Sequence, residues 1–168
     1  MLFRSIYRAM TTDYPDGHAI SKPGFAAGPS LLKDTMQLSA FQPHDFSLGY
    51  AAMQINEGLP SFCVERIRQN HRLKGMKVGL LGMAYKPGVD DIRDSLSFKL
   101  RKLLAFHGAE VLCTDEYVVS DQFVPLETVL ERSQLFIVAV PHERYRSVEF
   151  PGGSPVFNLW NLDSASST

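Results

Sequence analysis

The sequence predicts an α/β chain, with a helical segment over residues 1–73 followed by a small parallel-sheet domain of the Rossmann-like class over residues 74–168. Two observations carry this. Up to Leu73 apolar residues recur at helical spacing. From Lys74 onward short, almost wholly apolar runs alternate with amphipathic stretches. That alternation specifies parallel strands with helices on both faces. A chain of 168 residues is long enough to bury such a core unaided.

In chain order, MLFRSIYRAM places Leu2, Phe3, Ile6 and Met10 on one helical face. Thr11, Thr12 and Asp13 break the pattern ahead of the turn signal Tyr14-Pro15-Asp16-Gly17. The loop from Tyr14 to Pro29 holds three prolines and three glycines, which suits a loop that serves a site. Leu31 to Phe41 is helical in period, with Ser30 placed as N-cap. Phe46 to Leu73 is expected as a long helix kinked near Pro60, whose ring removes one hydrogen bond. The strands are expected at Met76–Leu81, Ala109–Thr114, Leu135–Val140 and Ser154–Leu159. Helices at Ser95–Phe106, closed by Gly108, and Pro125–Arg132 lie between them.

The charge balance is close to even: 17 Lys plus Arg against 18 Asp plus Glu, a net charge of -1. With no clustered cationic run expected, nucleic acid is not an expected partner. No apolar run approaches the ~20 residues that a membrane span needs, and no signal peptide is evident, so a cytoplasmic location is expected. Cys63 and Cys113 lie far apart and read as reduced thiols. The histidines at 18, 44, 71, 107 and 142 never recur at i, i+3 or i+4, so no metal is expected.

Two stretches are richer than connectors require. Gly79-Leu80-Leu81-Gly82 follows a strand but lacks the spacing and third glycine of a dinucleotide fingerprint, and is not read as an NAD site. Its continuation, Tyr85-Lys86-Pro87-Gly88-Val89-Asp90-Asp91-Ile92-Arg93-Asp94-Ser95, supplies a ring, a lysine, an arginine and a helix start capped by Asp94 or Ser95. A nucleotide site and a loop of locally paired charges are equally open from these residues. The second stretch, Pro23-Gly24-Phe25-Ala26-Ala27-Gly28-Pro29-Ser30-Leu31-Leu32-Lys33-Asp34, runs small residues into a helix start. There Lys33 and Asp34 form a candidate acid/base pair, although solvated first-turn charges are the simpler reading. His142 is read as a surface or capping residue at a strand end, and Trp160 as a core or interface residue.

Together these motifs resemble the UDP-glucose/GDP-mannose 6-dehydrogenase family. GFAAGPSLLKDTMQL is similar to its active-site stretch and GYAAMQINEGLP to its central helix. KVGLLGMAYKPGVDDIRDS is similar to the opening of its nucleotide-diphosphate-binding domain, and GAEVLCTDE to that domain's second strand. The resemblance implies NAD-dependent oxidation of a nucleotide-sugar 6-hydroxyl to a carboxylate through a cysteine thioester. It assigns the substrate loop to Phe25, Ala26, Ala27 and Gly28, and water activation to Asp34 beside Lys33. Substrate contacts fall to Tyr85 and Lys86, and Arg93 to the meeting of substrate and cofactor. The partner it implies is a nucleotide sugar, a UDP-sugar before a GDP-sugar, with a homodimer through residues 46–73.

The departures from the family pattern set further expectations. Ser30 stands at the nucleophilic cysteine position, and a serine hydroxyl is not ionised at neutral pH without a dedicated base. The expected chain is a truncated member, lacking the NAD-binding domain and inactive alone, or a UDP-sugar-binding or dimerisation module acting with a separate chain. Asn158-Leu159-Trp160-Asn161 replaces the aspartate and arginine many members carry, and Asp16 stands near where a neighbouring subunit contributes an arginine.

Overall fold

A computed structural model describes residues 2–13, 24–42 and 44–160. The expectations placed on residues 14–23, Asp16 among them, and on Asn161 lie outside the described residues. The described chain is α/β, with five α-helices and one four-stranded parallel sheet. Helices α1 (Leu2–Thr11), α2 (Leu31–Phe41) and α3 (Ser47–Arg68) come first. Strand β1 (Lys77–Leu81), α4 (Leu96–Phe106), β2 (Glu110–Thr114), α5 (Leu126–Arg132), β3 (Leu135–Val138) and β4 (Val156–Asn158) follow. The strand order is β2-β1-β3-β4, all parallel, with Leu81 opposite both Thr114 and Val138.

The alternation of strand side chains sorts the core into two layers. Val78, Leu80, Leu135 and Ile137 face the layer built from Val64 and Ile67 of α3 and Leu96, Leu100 and Leu104 of α4. Leu81, Phe136 and Val138 face the other layer, with Leu126 and Val129 of α5 and Tyr145. Each fully buried leucine contributes roughly 1.5–3 kcal/mol of apolar burial.

Several boundaries differ from the sequence reading. β3 stops at Val138, although Ala139 and Val140 are just as buried, because hydropathy reports burial and not ladder pairing. Both residues donate backbone N–H groups to the Leu81 carbonyl, at 2.9 and 3.3 Å, and so turn the chain across the end of β1. α3 ends at Arg68, and Leu73 is buried beyond it. The helix continues through Gly58 and Pro60, whose ring is buried on the same face as Met53, Val64 and Ile67. Ser30 occupies the N-cap position of α2 but makes no side-chain cap; its carbonyl accepts the Asp34 N–H at 2.8 Å. Ser95 does cap α4, accepting from the Ser97 N–H at 3.3 Å, and Gly108 follows that helix at φ +86°. The expected absence of a cationic cluster needs correction: Arg68, Arg72 and Lys74 line one depression with His71 and His107. No described helix is long and apolar enough to cross a membrane.

Gly82 ends β1 at φ +93°, and a Cβ there would meet the Val140 backbone nitrogen at 2.7 Å. Gly88 has a similar φ, +74°, over open space. Gly82→Ala is therefore expected to cost about 3 kcal/mol in urea unfolding, against about 1 kcal/mol for Gly88→Ala, since only the first adds a clash to the backbone strain.

Candidate functional site

The carboxyl ends of the strands converge on Asp115, the residue immediately after β2. Its side chain is fully buried. One carboxylate oxygen accepts the N–H groups of Met83 and Ala84, at 2.5 and 2.9 Å, from the turn after β1. The other accepts those of Tyr117 and Val118, at 2.9 and 3.0 Å. His142, beyond β3, contributes Nε2 at 3.1 Å. The Gly88 N–H donates to His142 Nδ1 at 3.2 Å, and since a backbone N–H can only donate, Nε2 carries the ring proton and donates to Asp115. His142 is thus wholly buried between Tyr117 and Tyr145, not a surface residue; the capping expectation holds by position, since it is the N-cap of the 3₁₀ turn Glu143–Ser147, though its side chain makes no cap bond. Burial pushes the Asp115 carboxyl up, but the hydrogen bonds from His142, Met83, Ala84 and Tyr117 outweigh it and bring the pKa down to about 2.

That arrangement bears on NAD. In a dinucleotide site the N–H groups of the first βα turn face a pyrophosphate. Here those of Met83 and Ala84 are taken by a carboxylate of the chain itself, and α4 starts only at Leu96. The residues of this turn do not fit NAD, as the fingerprint's defective spacing suggested. Among the described residues no cluster of three His, Cys, Asp or Glu could hold a metal.

The same anchor shapes the loop that follows. The Tyr85 N–H closes on the Asp91 carbonyl at 2.9 Å, and Ser95 Oγ donates to the Ala84 carbonyl at 3.0 Å. Tyr85 is left half-buried and Lys86 exposed, with Nζ 5.5 Å from the Tyr85 ring centroid. Of the local ion pairs left open by the sequence, Arg93 with Asp91 forms, at 2.6 Å. The Arg93 side chain donates to both carboxylate oxygens, and these bonds hold the Asp91 carboxyl below its usual range.

The second stretch docks onto the first. Phe25 is buried in the larger core, so it anchors its loop. Asn56 on α3 grips Ala26 at both backbone groups, accepting the N–H at 3.0 Å and donating to the carbonyl at 2.6 Å. Trp160 covers Gly24, where any Cβ would enter the indole, and its Nε1–H donates to the Ala139 carbonyl at 2.6 Å. Gly28 lies against the Tyr85 ring, with 3.3 Å between that ring and a hypothetical Cβ. Ala27 is partly buried beside it, and Ser30 is exposed. Lys33 and Asp34 form an exposed pair at 3.6 Å, the solvated arrangement of the simpler reading. Cys63 and Cys113 are free thiols, each pushed up to about 11 by burial.

Asn56, Asp115 and His142 were not among the residues singled out from the sequence for the site. Only His142 carried a signal, its place after LFIVAV.

Residues 79–160 match the model of the UDP-glucose/GDP-mannose dehydrogenase family, UDP binding domain. The chain is 31% identical over 137 residues to UDP-N-acetyl-D-mannosamine dehydrogenase of Pyrococcus horikoshii, covering 78% of this chain and 32% of that protein. It is 36% identical over 103 residues to UDP-glucose 6-dehydrogenase AglM of Haloferax volcanii, covering 59% of this chain and 24% of that protein. The solved structure of a UDP-glucose dehydrogenase from Pyrobaculum islandicum shares the fold, with TM-score 0.79 at 24% identity, over 96% of this chain and 40% of that one. The chain thus spans about a third of the length of the curated relatives it matches.

Because the folded carboxyl of Asp115 lies near 2, below its ordinary 3.8, its stabilisation is complete above pH ~4 and fades as pH falls toward 2. That loss amounts to about 2 kcal/mol. Asp115→Asn should lower stability at pH 7 by about 2–4 kcal/mol in urea unfolding, since an amide cannot accept all five donors, and should flatten the acid dependence.

Proposed function

The chain belongs, through residues 79–160, to the UDP-glucose/GDP-mannose dehydrogenase family, and we propose that it binds a nucleotide sugar, UDP-linked before GDP-linked, against residues 25–34 and 85–93. The observation that carries this is the contact of Gly28 with the Tyr85 ring, which merges the two distinctive stretches of the sequence into one surface. In this reading Tyr85 offers a ring face, Lys86 a charge for the diphosphate, and Ala26, Ala27 and Gly28 a small-residue wall held by Phe25. Arg93 reaches the ligand by sharing its guanidinium with Asp91.

For the oxidation itself, the relatives are dehydrogenases in name, and NAD would be the cofactor of the whole reaction. Ser30 is the obstacle in this chain. It stands at the nucleophile position, and of the two thiols Cys113 is buried and Cys63 half-buried, both pushed up to about 11 and so protonated at neutral pH. Lys33 and Asp34 could position water for hydrolysis, but no thioester would form for them to act on. The chain by itself is therefore a binding member of the family, with a boundary near residues 73 and 74 between its helical part and the nucleotide domain.

A second role rests on the stripe of Leu48, Ile55 and Phe62 along α3, exposed at 83%, 69% and 58% and spaced by sevens. It supports pairing of two copies through residues 46–73. Ile55→Glu should convert a dimer to a monomer in light scattering; a monomeric parent chain would remove this role.

Calorimetry with UDP, UDP-glucose, UDP-N-acetylmannosamine and GDP-mannose should register the three UDP ligands, with Lys86→Ala weakening them about tenfold, the loss of one charge-assisted contact. Silence from all four would overturn the binding role. With the same nucleotide sugars and NAD, this chain alone should produce no NADH, and measurable turnover would overturn the assignment of Ser30.

A further inference from the structure

At the opposite, amino-terminal edge of the sheet the chain reads RIRQNHRLKGMK over residues 66–77, five Lys or Arg with His71 and no carboxylate. Arg68, His71, Arg72 and Lys74 from this run line a depression of about 420 Å³, joined by Asn70 and by His107 from the end of α4. We propose that this depression binds a small phosphate-bearing polyanion, of the pyrophosphate or tripolyphosphate class.

The lining holds three permanent cations and no acid. Among the described residues Arg68, Arg72 and Lys74 have no carboxylate partner; other cations such as Arg66, Lys86 and Arg101 lack one too, but only these three line one depression together. Cations gathered without counter-charge repel one another, and a multivalent anion relieves that repulsion while accepting guanidinium forks. A helix C-terminus also attracts cations, but that field is spent within the last turn. It accounts for Arg68 in α3 and not for Arg72 or Lys74 beyond it.

The frame is held from below. Leu73 is buried, the Gly75 N–H donates to the Gly108 carbonyl at 2.8 Å, and the His71 ring meets Phe157 edge-on at 5.8 Å. The volume falls within the usual range for small-molecule sites, and the three cations line one depression, a footprint that suits a compact anion better than the extended backbone of a nucleic acid.

Titration calorimetry on the whole chain with phosphate, pyrophosphate and tripolyphosphate at matched ionic strength should show affinity rising with ligand charge. The double variant Arg68→Gln/Arg72→Gln should weaken tripolyphosphate at least about tenfold, and Lys74→Met should weaken it less, because each removes contacts worth that order. Circular dichroism should find both variants folded, as the replaced side chains are exposed. No binding by the parent up to about 10 mM tripolyphosphate, a dissociation free energy below ~3 kcal/mol, would overturn the proposal. So would equal affinity in the folded variants, or tighter binding of an oligonucleotide that these substitutions abolish. UDP titrations run on the same variants should not change, which keeps this site distinct from the nucleotide surface.

Discussion

One buried carboxylate organises the functional edge of the sheet. Three parallel strands end side by side, and because none turns back in a hairpin, the loops beyond β1, β2 and β3 have no ladder to hold them together. Asp115 gives them a common acceptor: it takes two N–H groups from the first loop, two from its own, and the His142 ring from the third. A carboxylate removed from water costs several kcal/mol unless its lone pairs are filled, and here five donors fill them. The same bonds occupy the N–H groups that would otherwise face a phosphate. Closing that position and presenting Tyr85 and Lys86 are therefore one structural act.

The second loop depends on the first. The Tyr85 ring lies against Gly28, where a Cβ would come within 3.3 Å of it, and that ring follows directly from Ala84, which Asp115 grips. Asn56 and Trp160 secure the loop from two other elements, α3 and the end of β4. Residues far apart in the sequence thus share one surface without any ion pair between them; backbone hydrogen bonds and close ring contacts do the joining. Such joints are short and directional, so the surface is more sensitive to a misplaced backbone than to a lost surface charge.

The sequence made the α/β class legible, and with it the strand-helix alternation, because both rest on apolar periodicity, a local property. A cap of α4 at Asp94 or Ser95, which the structure settles as Ser95, and Gly108 as its close were legible for the same reason. Strand ends were less so: Val140 is as apolar and as buried as Val138, and only the absence of a ladder partner separates them. The Asp115–His142 pair was illegible, since the residues are 27 apart and the polar run after β2 looks like any solvated turn. The basic cluster escaped because a net charge of -1 averages over the chain, while electrostatics acts over about 10 Å. Family resemblance assigned Gly28 and Tyr85 each to the substrate, but their direct contact is a feature of the fold that no periodicity could suggest.

Binding and bond-making place different demands on this edge. A nucleotide surface needs shape, a ring and a few cations, all of which tolerate exchange at a neighbouring position. Covalent chemistry through a thioester needs one ionisable atom, and in the proposed reading Ser30 puts oxygen where sulfur would stand, which changes acidity by many orders of magnitude while leaving volume and backbone almost unchanged. Ser30 also lends nothing to the helix it precedes, since its hydroxyl makes no cap and its carbonyl alone bonds Asp34. The position is thus free of any structural demand for its side chain, and its identity can report on chemistry alone. In the proposed reading that explains how the surface around residues 25–34 persists intact beside a position that no longer supports the family's reaction.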